Sequence, residues 1–257
     1  MTEPVEHDEY DLIEEEFNEV LGISLSPRGP GVLFDVIAGL SLGAGAVAVD
    51  VGCGEGLQAV ELATRFSFDV LGIDPLDRRD PDVASRFRFE LGTAESIPME
   101  DGRVDLVLCR EMLYVIDDLV TVFRECHRAL RPGGFVVAYQ LFNTDWLEPR
   151  EAVRFWASEE AARRAEPGHF EAAAAEAGLV ISEVVDLGSE TVEWWEERNG
   201  KAGRELLAAA RLLRDADRYV ERFGQGAYDI KLNDAFWFVY RMIGKLTQRV
   251  YVLQRPA

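Results

Sequence analysis

An apolar strand from Ala46 to Val51 empties into a turn with glycine at every second position, Gly52, Gly54 and Gly56. Few features limit a chain's fold as strongly. Glycines spaced this way let the backbone reverse sharply and let a ligand lie directly against main-chain atoms; a tight turn alone would also use them. The spacing is G-x-G-x-G, whereas the dinucleotide fingerprint is G-x-G-x-x-G, and Leu57 stands where its third glycine would be. That mismatch argues against a nicotinamide dinucleotide. The next apolar strand ends in Asp74, 22 residues past Gly52. A carboxylate there can accept hydrogen bonds from both hydroxyls of a ribose, each charge-assisted bond contributing about 1.5 to 3 kcal/mol; a turn or N-cap aspartate before Pro75 is the plainer alternative. Two successive strand ends place glycine turn and acid at the carboxyl edge of the sheet, where open α/β folds bind ligands.

The rest of the chain alternates short apolar runs with longer amphipathic stretches, the pattern of a parallel sheet covered on both faces by helices. An acidic helix over roughly Asp8 to Leu21 precedes a turn-rich Ser26–Gly31 segment and a short helix through Ala38. Strands are expected at Ala46–Val51, Asp69–Ile73, Phe87–Leu91, Val104–Cys109 and Phe135–Gln140, with helices at Leu57–Arg65 and Leu119–Leu130. A further pair follows at Phe170–Ala177, capped by Gly178, and Leu179–Val185. Between Asp186 and Gln248 lie about sixty residues that read as two or three helices before a last apolar run, Arg249–Leu253. Leu206, Leu207, Ala210, Leu213, Val220 and Phe223 recur at helical spacing in one helix that Gly224 ends. The next is apolar nearly all round, at Phe236 to Tyr240, and so needs cover on two sides, as a lid or as a dimer contact.

Charge narrows the partners. Acidic residues number 47 against 27 basic, a net charge of -20, and the first 20 residues hold nine carboxylates with no Lys or Arg. Nucleic-acid binding needs a basic face, and secretory or mitochondrial leaders need the opposite composition, so neither is expected. The most apolar early stretch, Val36–Val49, is too short for a bilayer, and Cys53, Cys109 and Cys126 suit neither a disulfide framework nor a Cys-x-x-Cys metal site. A reducing cytoplasm is the expected compartment. His7, His127 and His169 are too scattered for a ligand cluster, and no metal is expected.

The runs AVAVDVGCGEG, VLGID, LGTAESIPMEDGRVDLVLCREMLYVIDD and ALRPGGFVV, in this order and spacing, resemble the class I S-adenosylmethionine-dependent methyltransferases over residues 45 to 140. The resemblance implies a Rossmann-like doubly wound α/β sheet of seven strands in the order 3-2-1-4-5-7-6, the last antiparallel, with a helical lid between the last two strands. With the elements read above, this gives a single domain over 1–257, with an N-terminal helical arm (1–40) and the helical insertion (186–248). S-adenosylmethionine would lie across the carboxyl ends of strands 1, 2 and 4. Asp50, Gly52, Cys53, Gly54 and Gly56 would meet its amino acid end, Asp74 the ribose, and Pro75, Leu76, Thr93, Ala94 and Glu95 the adenine. Thr93 departs from the aspartate that many relatives carry there, leaving the Ala94 backbone and Glu95 to share the adenine contact. The Arg110 carbonyl would face the methionine end; Arg110 and Glu111 could also simply pair as charges at a strand end.

A sulfonium carries an electrophilic methyl and a neutral leaving group, so the protein mainly has to align an acceptor, and neither a nucleophilic triad nor a metal is required. A base would help a hydroxyl acceptor. His169, at a helix entrance, and Tyr114, just past the cofactor loop, are the candidates; His127, near a helix C-terminus, reads as structural. Gln140, Phe142, Asn143 and Trp146 leave strand five, and Trp194, Trp195, Trp237 and Tyr240 belong to the insertion, a set suited to a small, partly apolar organic acceptor such as a secondary metabolite. The expected activity is methyl transfer to O, N or C, releasing S-adenosylhomocysteine, by a monomer or homodimer; a cofactor-binding protein of the same fold without transfer is the alternative.

Overall fold

Four runs of mostly buried residues become the inner parallel strands because each is covered on both faces, and a fifth, the exposed RFEL segment, pairs in parallel at the sheet edge. The computed structural model describes the backbone of residues 7–257, and side chains from residue 13 onward apart from Glu15. In chain order the elements are α1 (His7–Leu21), α2 (Val32–Gly39), β1 (Val47–Val51), α3 (Leu57–Phe66), β2 (Asp69–Asp74), β3 (Arg88–Leu91), β4 (Val104–Arg110), a 3-10 turn at Leu113–Val115, α4 (Leu119–Ala129) and β5 (Leu130–Asn143). Then come α5 (Pro149–Trp156), α6 (Glu159–Arg164), α7 (Pro167–Glu176), β6 (Val180–Asp186), α8 (Glu190–Asn199), α9 (Lys201–Arg214), α10 (Ala216–Phe223), α11 (Gln225–Met242) and β7 (Leu246–Gln254). The sheet order is β3-β2-β1-β4-β5-β7-β6, with β7 antiparallel to both neighbours. This is the expected seven-stranded sheet.

One face buries Val49, Val51 and Cys109 against α4 and α7; the other buries Ala48, Leu106 and Val137 against α2 and α3. Two glycines are set by this packing. A Cβ on Gly56 would lie 2.4 Å from Phe87 Cζ, and one on Gly72 would lie 2.6 Å from Phe87 Cε2 and 2.9 Å from Cys53 Sγ. Phe87 thus wedges between the glycine turn and β2.

Three expectations change. β5 begins at Leu130 rather than Phe135, because Gly133, at φ +76, and Gly134 turn the chain as a bulge that Arg255 holds through two backbone hydrogen bonds. The helix expected over Leu206–Phe223 breaks at Asp215, whose φ of -141 and ψ of 56 leave the helical region, so the insertion holds four helices. Helices α5 and α6 lie in a stretch without an expected element, and their starts are local: a capping box between Glu148 and Glu151 ahead of Pro149, and the Ser158 hydroxyl accepting from Ala161 N. The apolar helix at Phe236–Tyr240 finds its cover inside the chain, against α9 on one side and against Leu141, Leu147 and Phe155 on another. Arg28 ties the N-terminal segment to this insertion by bonding Glu190 and the Asp186 carbonyl.

Replacing Gly72 by alanine forces Phe87 and Cys53 to move, and we expect a loss of about 1 to 3 kcal/mol in urea unfolding. Gly43→Ala, which meets nothing within 4 Å, should change stability little, and Phe87→Leu should recover part of the Gly72→Ala loss.

Candidate functional site

The glycine turn is pinned to β2 by its own backbone. Gly52 N and Cys53 N both donate to the Ile73 carbonyl, at 2.8 and 3.0 Å, and Gly54 N donates to Asp74 Oδ2 at 3.1 Å. All three glycines have positive φ, as the turn requires. Their surroundings differ: Met112 covers Gly52, Phe87 fills the space beside Gly56, and beyond Gly54 nothing lies within 4 Å. Gly54 is therefore the point at which a ligand can touch this backbone. Cys53 is buried, and burial followed by the fields of Asp50 and Asp74 pushes its thiol up to about 12, which leaves it inert as a nucleophile.

Asp74 is buried at the end of β2 and is aimed by its neighbours. Besides Gly54 N, it accepts from Leu76 N at 2.9 Å, and Arg78 Nη2 reaches both oxygens at 3.3 and 3.4 Å. Arg78 is 62% exposed and makes only long contacts, so this is the replaceable partner. Pro75 and Leu76 lie exposed beside Asp74, and Gly92 N bonds the Asp74 carbonyl at 3.1 Å, bringing the next loop alongside. In that loop Thr93 and Glu95 are exposed and Ala94 is buried. The residues expected on a nucleoside thus share one edge.

Asp50 sits at the end of β1, buried, and its Oδ2 has no hydrogen-bond partner. Burial pushes its carboxyl up to about 7, against the opposing pull of Arg110. Arg110 and Glu111 do not pair with one another among the described residues. The Arg110 guanidinium lies over the Tyr139 ring at 5.6 Å, and Glu111, at φ +50, donates its N–H to the Tyr139 carbonyl at 2.8 Å. A non-glycine residue in the left-handed region is uncommon and costly, and such residues cluster at functional sites.

Beyond this edge a cavity of about 950 Å³ opens between the sheet and the insertion. Arg110, Glu111 and Tyr139 form its sheet side, Thr191, Trp195, Trp237 and Arg241 line it from α8 and α11, and Pro30 closes it from the N-terminal segment. Arg241 is 7% exposed, its Nη2 donates to Thr191 Oγ1, and its Nε has no partner. A second cavity of about 410 Å³ shares Trp237 and Asp234 with the first and contains Tyr114 and Trp156.

Several expected site residues lie elsewhere. His169 borders neither of these cavities; its Nδ1 is 3.1 Å from Arg163 Nη1, and burial followed by Arg163 lowers its pKa. Tyr114 lies against Trp156 and Trp237, lines the smaller cavity, and has its hydroxyl pushed up to about 12 by burial and by Glu111, a poor base near neutrality. The Asn143 amide donates to the Ala162 carbonyl at 2.8 Å and accepts from Trp156 Nε1 at 2.7 Å, so its capacity is spent in tying β5 to α5 and α6. Gln140 is buried within β5 and borders neither cavity, although its amide atoms have no partner. Trp146 is 75% exposed, and Tyr240 stacks on Phe236 beside Lys245. Trp194 packs onto Gly29 beneath Arg198, while its neighbour Trp195 lines the cavity. Trp237 lines both cavities. His127 sits in the last turn of α4, the structural position read from the sequence, and the His7 side chain lies outside the described residues. Sequence reasoning missed Tyr139, Thr191 and Arg241; the one cation beside the apolar run FWFVY was the available sign of Arg241.

Comparison with known proteins bears on this edge. A family model described as a methyltransferase domain matches residues 49–138, from β1 through the middle of β5. Residues 49–138 thus carry a methyltransferase domain. The 27-O-demethylrifamycin SV methyltransferase of Amycolatopsis mediterranei is 36% identical over 112 residues, 40% of this chain and 41% of that protein, so the match spans about two fifths of the curated relative. The solved [4+2]-cyclase SpnF shares the fold at a TM-score of 0.68 and 19% identity, covering 97% of this chain and 95% of its own. So does a geranyl diphosphate C-methyltransferase from Streptomyces coelicolor A3(2), solved with S-adenosyl-L-homocysteine, at a TM-score of 0.63 and 19% identity over 88% and 75%. The sequence match ends within β5, so the insertion lies outside the stretch that defines the methyltransferase domain.

A carboxyl whose pKa is raised on folding binds its proton more tightly in the native state, so the stability it contributes is present below about pH 4 and is lost as pH rises through about 7. Asp50→Asn should therefore gain melting temperature relative to the parent protein as pH increases from 4.5 to 7.5. A constant difference across that range would remove Asp50 from the titration.

Proposed function

We propose that this protein binds S-adenosylmethionine along the carboxyl ends of β1, β2 and β4 and transfers its methyl group to O, N or C of a small organic acceptor held in the larger cavity. The observation that carries the reading is Asp74: a buried carboxylate aimed by two backbone N–H groups, beside the one glycine of the turn with open space. The residues present fit such a cofactor. Asp74, relieved of Arg78, would accept from the ribose hydroxyls; Asp50, with its orphaned oxygen, and the backbone of Gly52 to Gly54 would take the amino acid end. Pro75, Leu76, Thr93, Ala94 and Glu95 would flank the adenine, and the Arg110 carbonyl would meet the methionine portion.

When bound, the cofactor supplies an activated methyl on a neutral leaving group. The chain's own contribution is then mostly positioning and exclusion of water. Trp195 and Trp237 would orient the acceptor body, and the insertion would act as the lid. Where the acceptor gives up a proton, Glu111 is the carboxylate at the sheet end of the cavity, and its backbone is held out of the ordinary regions by the Tyr139 carbonyl. It replaces His169 and Tyr114 in that role.

A second reading keeps the cofactor site and dispenses with the transfer. It is favoured by the size of the cavity, at the upper end of the range for small-molecule sites, and by the fold shared with a [4+2]-cyclase. Tight cofactor binding without methyl loss across a broad acceptor screen would select it.

Calorimetry with S-adenosylhomocysteine tests the cofactor site. Asp74→Ala should weaken binding at least about tenfold, as befits the loss of charge-assisted bonds, and Gly54→Val should abolish it by filling the open space. Affinity unchanged in both variants would leave the site without support.

A further inference from the structure

The lining of the larger cavity carries the opposite sign to the molecule around it. The chain has 47 acidic residues against 27 basic. Around the cavity stand five cationic side chains, Arg110, Lys201, Arg211, Lys231 and Arg241. Against them are three carboxylates, Glu111, Glu205 and Asp234, and Lys231 already holds Asp234 at 3.1 Å. A positive pocket in a strongly acidic protein attracts anions inward while the outer surface repels them, so the charge pattern selects for ligands that can enter.

Arg241 stands apart from the other four. It is more than nine-tenths buried, on α11 and beside the sheet, and among the described residues it forms no ion pair. Its neighbours are hydroxyls: Thr191 accepts from Nη2, and Tyr139 lies beside it, while Glu111 attracts it without pairing. Nε is left without a partner. A guanidinium buried on neutral groups, with donors unused, is costly unless an anion completes its environment. Its planar fork matches the two oxygens of a carboxylate or phosphate. No residue of the described chain supplies them.

Resting on the methyltransferase reading above, we infer that Arg241 recognises an oxyanion on the acceptor, which is thus an apolar or aromatic molecule bearing a carboxylate or a phosphate. The aromatic rings of Trp195, Tyr219, Phe223, Trp237 and Phe238 take the apolar body, and Arg241 anchors the charged end. The anchor, on α11, lines the same cavity as Arg110 and Glu111 at the sheet edge, so a bound acid is fixed at one end with its body extending along the chamber. Arg241 acts by binding and takes no part in bond making.

Matched pairs of probes test this by titration calorimetry at fixed ionic strength: 1-naphthylacetate against 1-naphthylacetamide, and 1-naphthyl phosphate against 1-naphthol. The parent protein should bind at least one anion about tenfold or more tighter than its neutral partner, and the pair that shows the gap identifies carboxylate or phosphate. Arg241→Gln should collapse that gap with little change for the neutral probe, and Arg241→Lys should keep part of it. Equal affinity for anion and neutral partner in both pairs, no binding of any probe at millimolar concentration, or a gap that survives in Arg241→Gln would each overturn the inference. The comparison on the parent protein does not depend on the variants folding. S-adenosylhomocysteine is titrated alongside: its binding without anion preference sinks the anchor and leaves the cofactor site standing, and anion preference without its binding does the reverse.

Discussion

The site is built on a backbone junction. The carbonyl of Ile73 receives two N–H groups from the turn after β1, and the carboxylate of the next residue, Asp74, receives a third from Gly54. These three bonds fasten the carboxyl ends of two parallel strands to one another at the edge where open α/β sheets bind ligands. They need a turn without side chains in the way, and Phe87 occupies the room that Gly56 and Gly72 leave. With the junction fixed, Asp74 cannot turn away from the open space over Gly54. The sequence of glycines thus has two purposes: Gly56 serves packing, and Gly54 leaves room for a ligand.

The insertion between β6 and β7 makes the second half of the site. Its four helices close on each other, with α11 covered by α9 and by the cluster around Phe155, and leave a chamber facing Arg110 and Glu111. The acidity that argued against nucleic acid gives no guide to the chamber, which is cationic. Net charge describes the surface and long-range encounter. A small group of buried residues can have the opposite preference, as Arg241 does here.

Much of the fold was legible because its signals are local. Val104 to Cys109 is apolar except for Asp105 and reads as a central strand; the glycine turn and Asp74 mark two strand ends by composition alone. The cofactor edge follows from those ends. The proposed acceptor side did not follow, because it depends on which way a side chain points once distant segments have packed. Asn143 leaves the end of β5 as expected, yet α5 and α6 consume its amide. Trp194 and Trp195 are adjacent in sequence and opposite in use, since Gly29 offers a seat to one and the cavity receives the other. His169 lies on α7 and lines neither cavity. The break at Asp215 involves no glycine or proline, so periodicity ran through it.

The most direct test of the proposed site is a crystal structure with S-adenosylhomocysteine bound. Ribose hydroxyls on Asp74 with Arg78 displaced, and the sulfur directed toward the chamber beside Glu111, is the result expected. A complex in which Arg78 still covers Asp74, with the nucleoside bound away from Gly54, would contradict it.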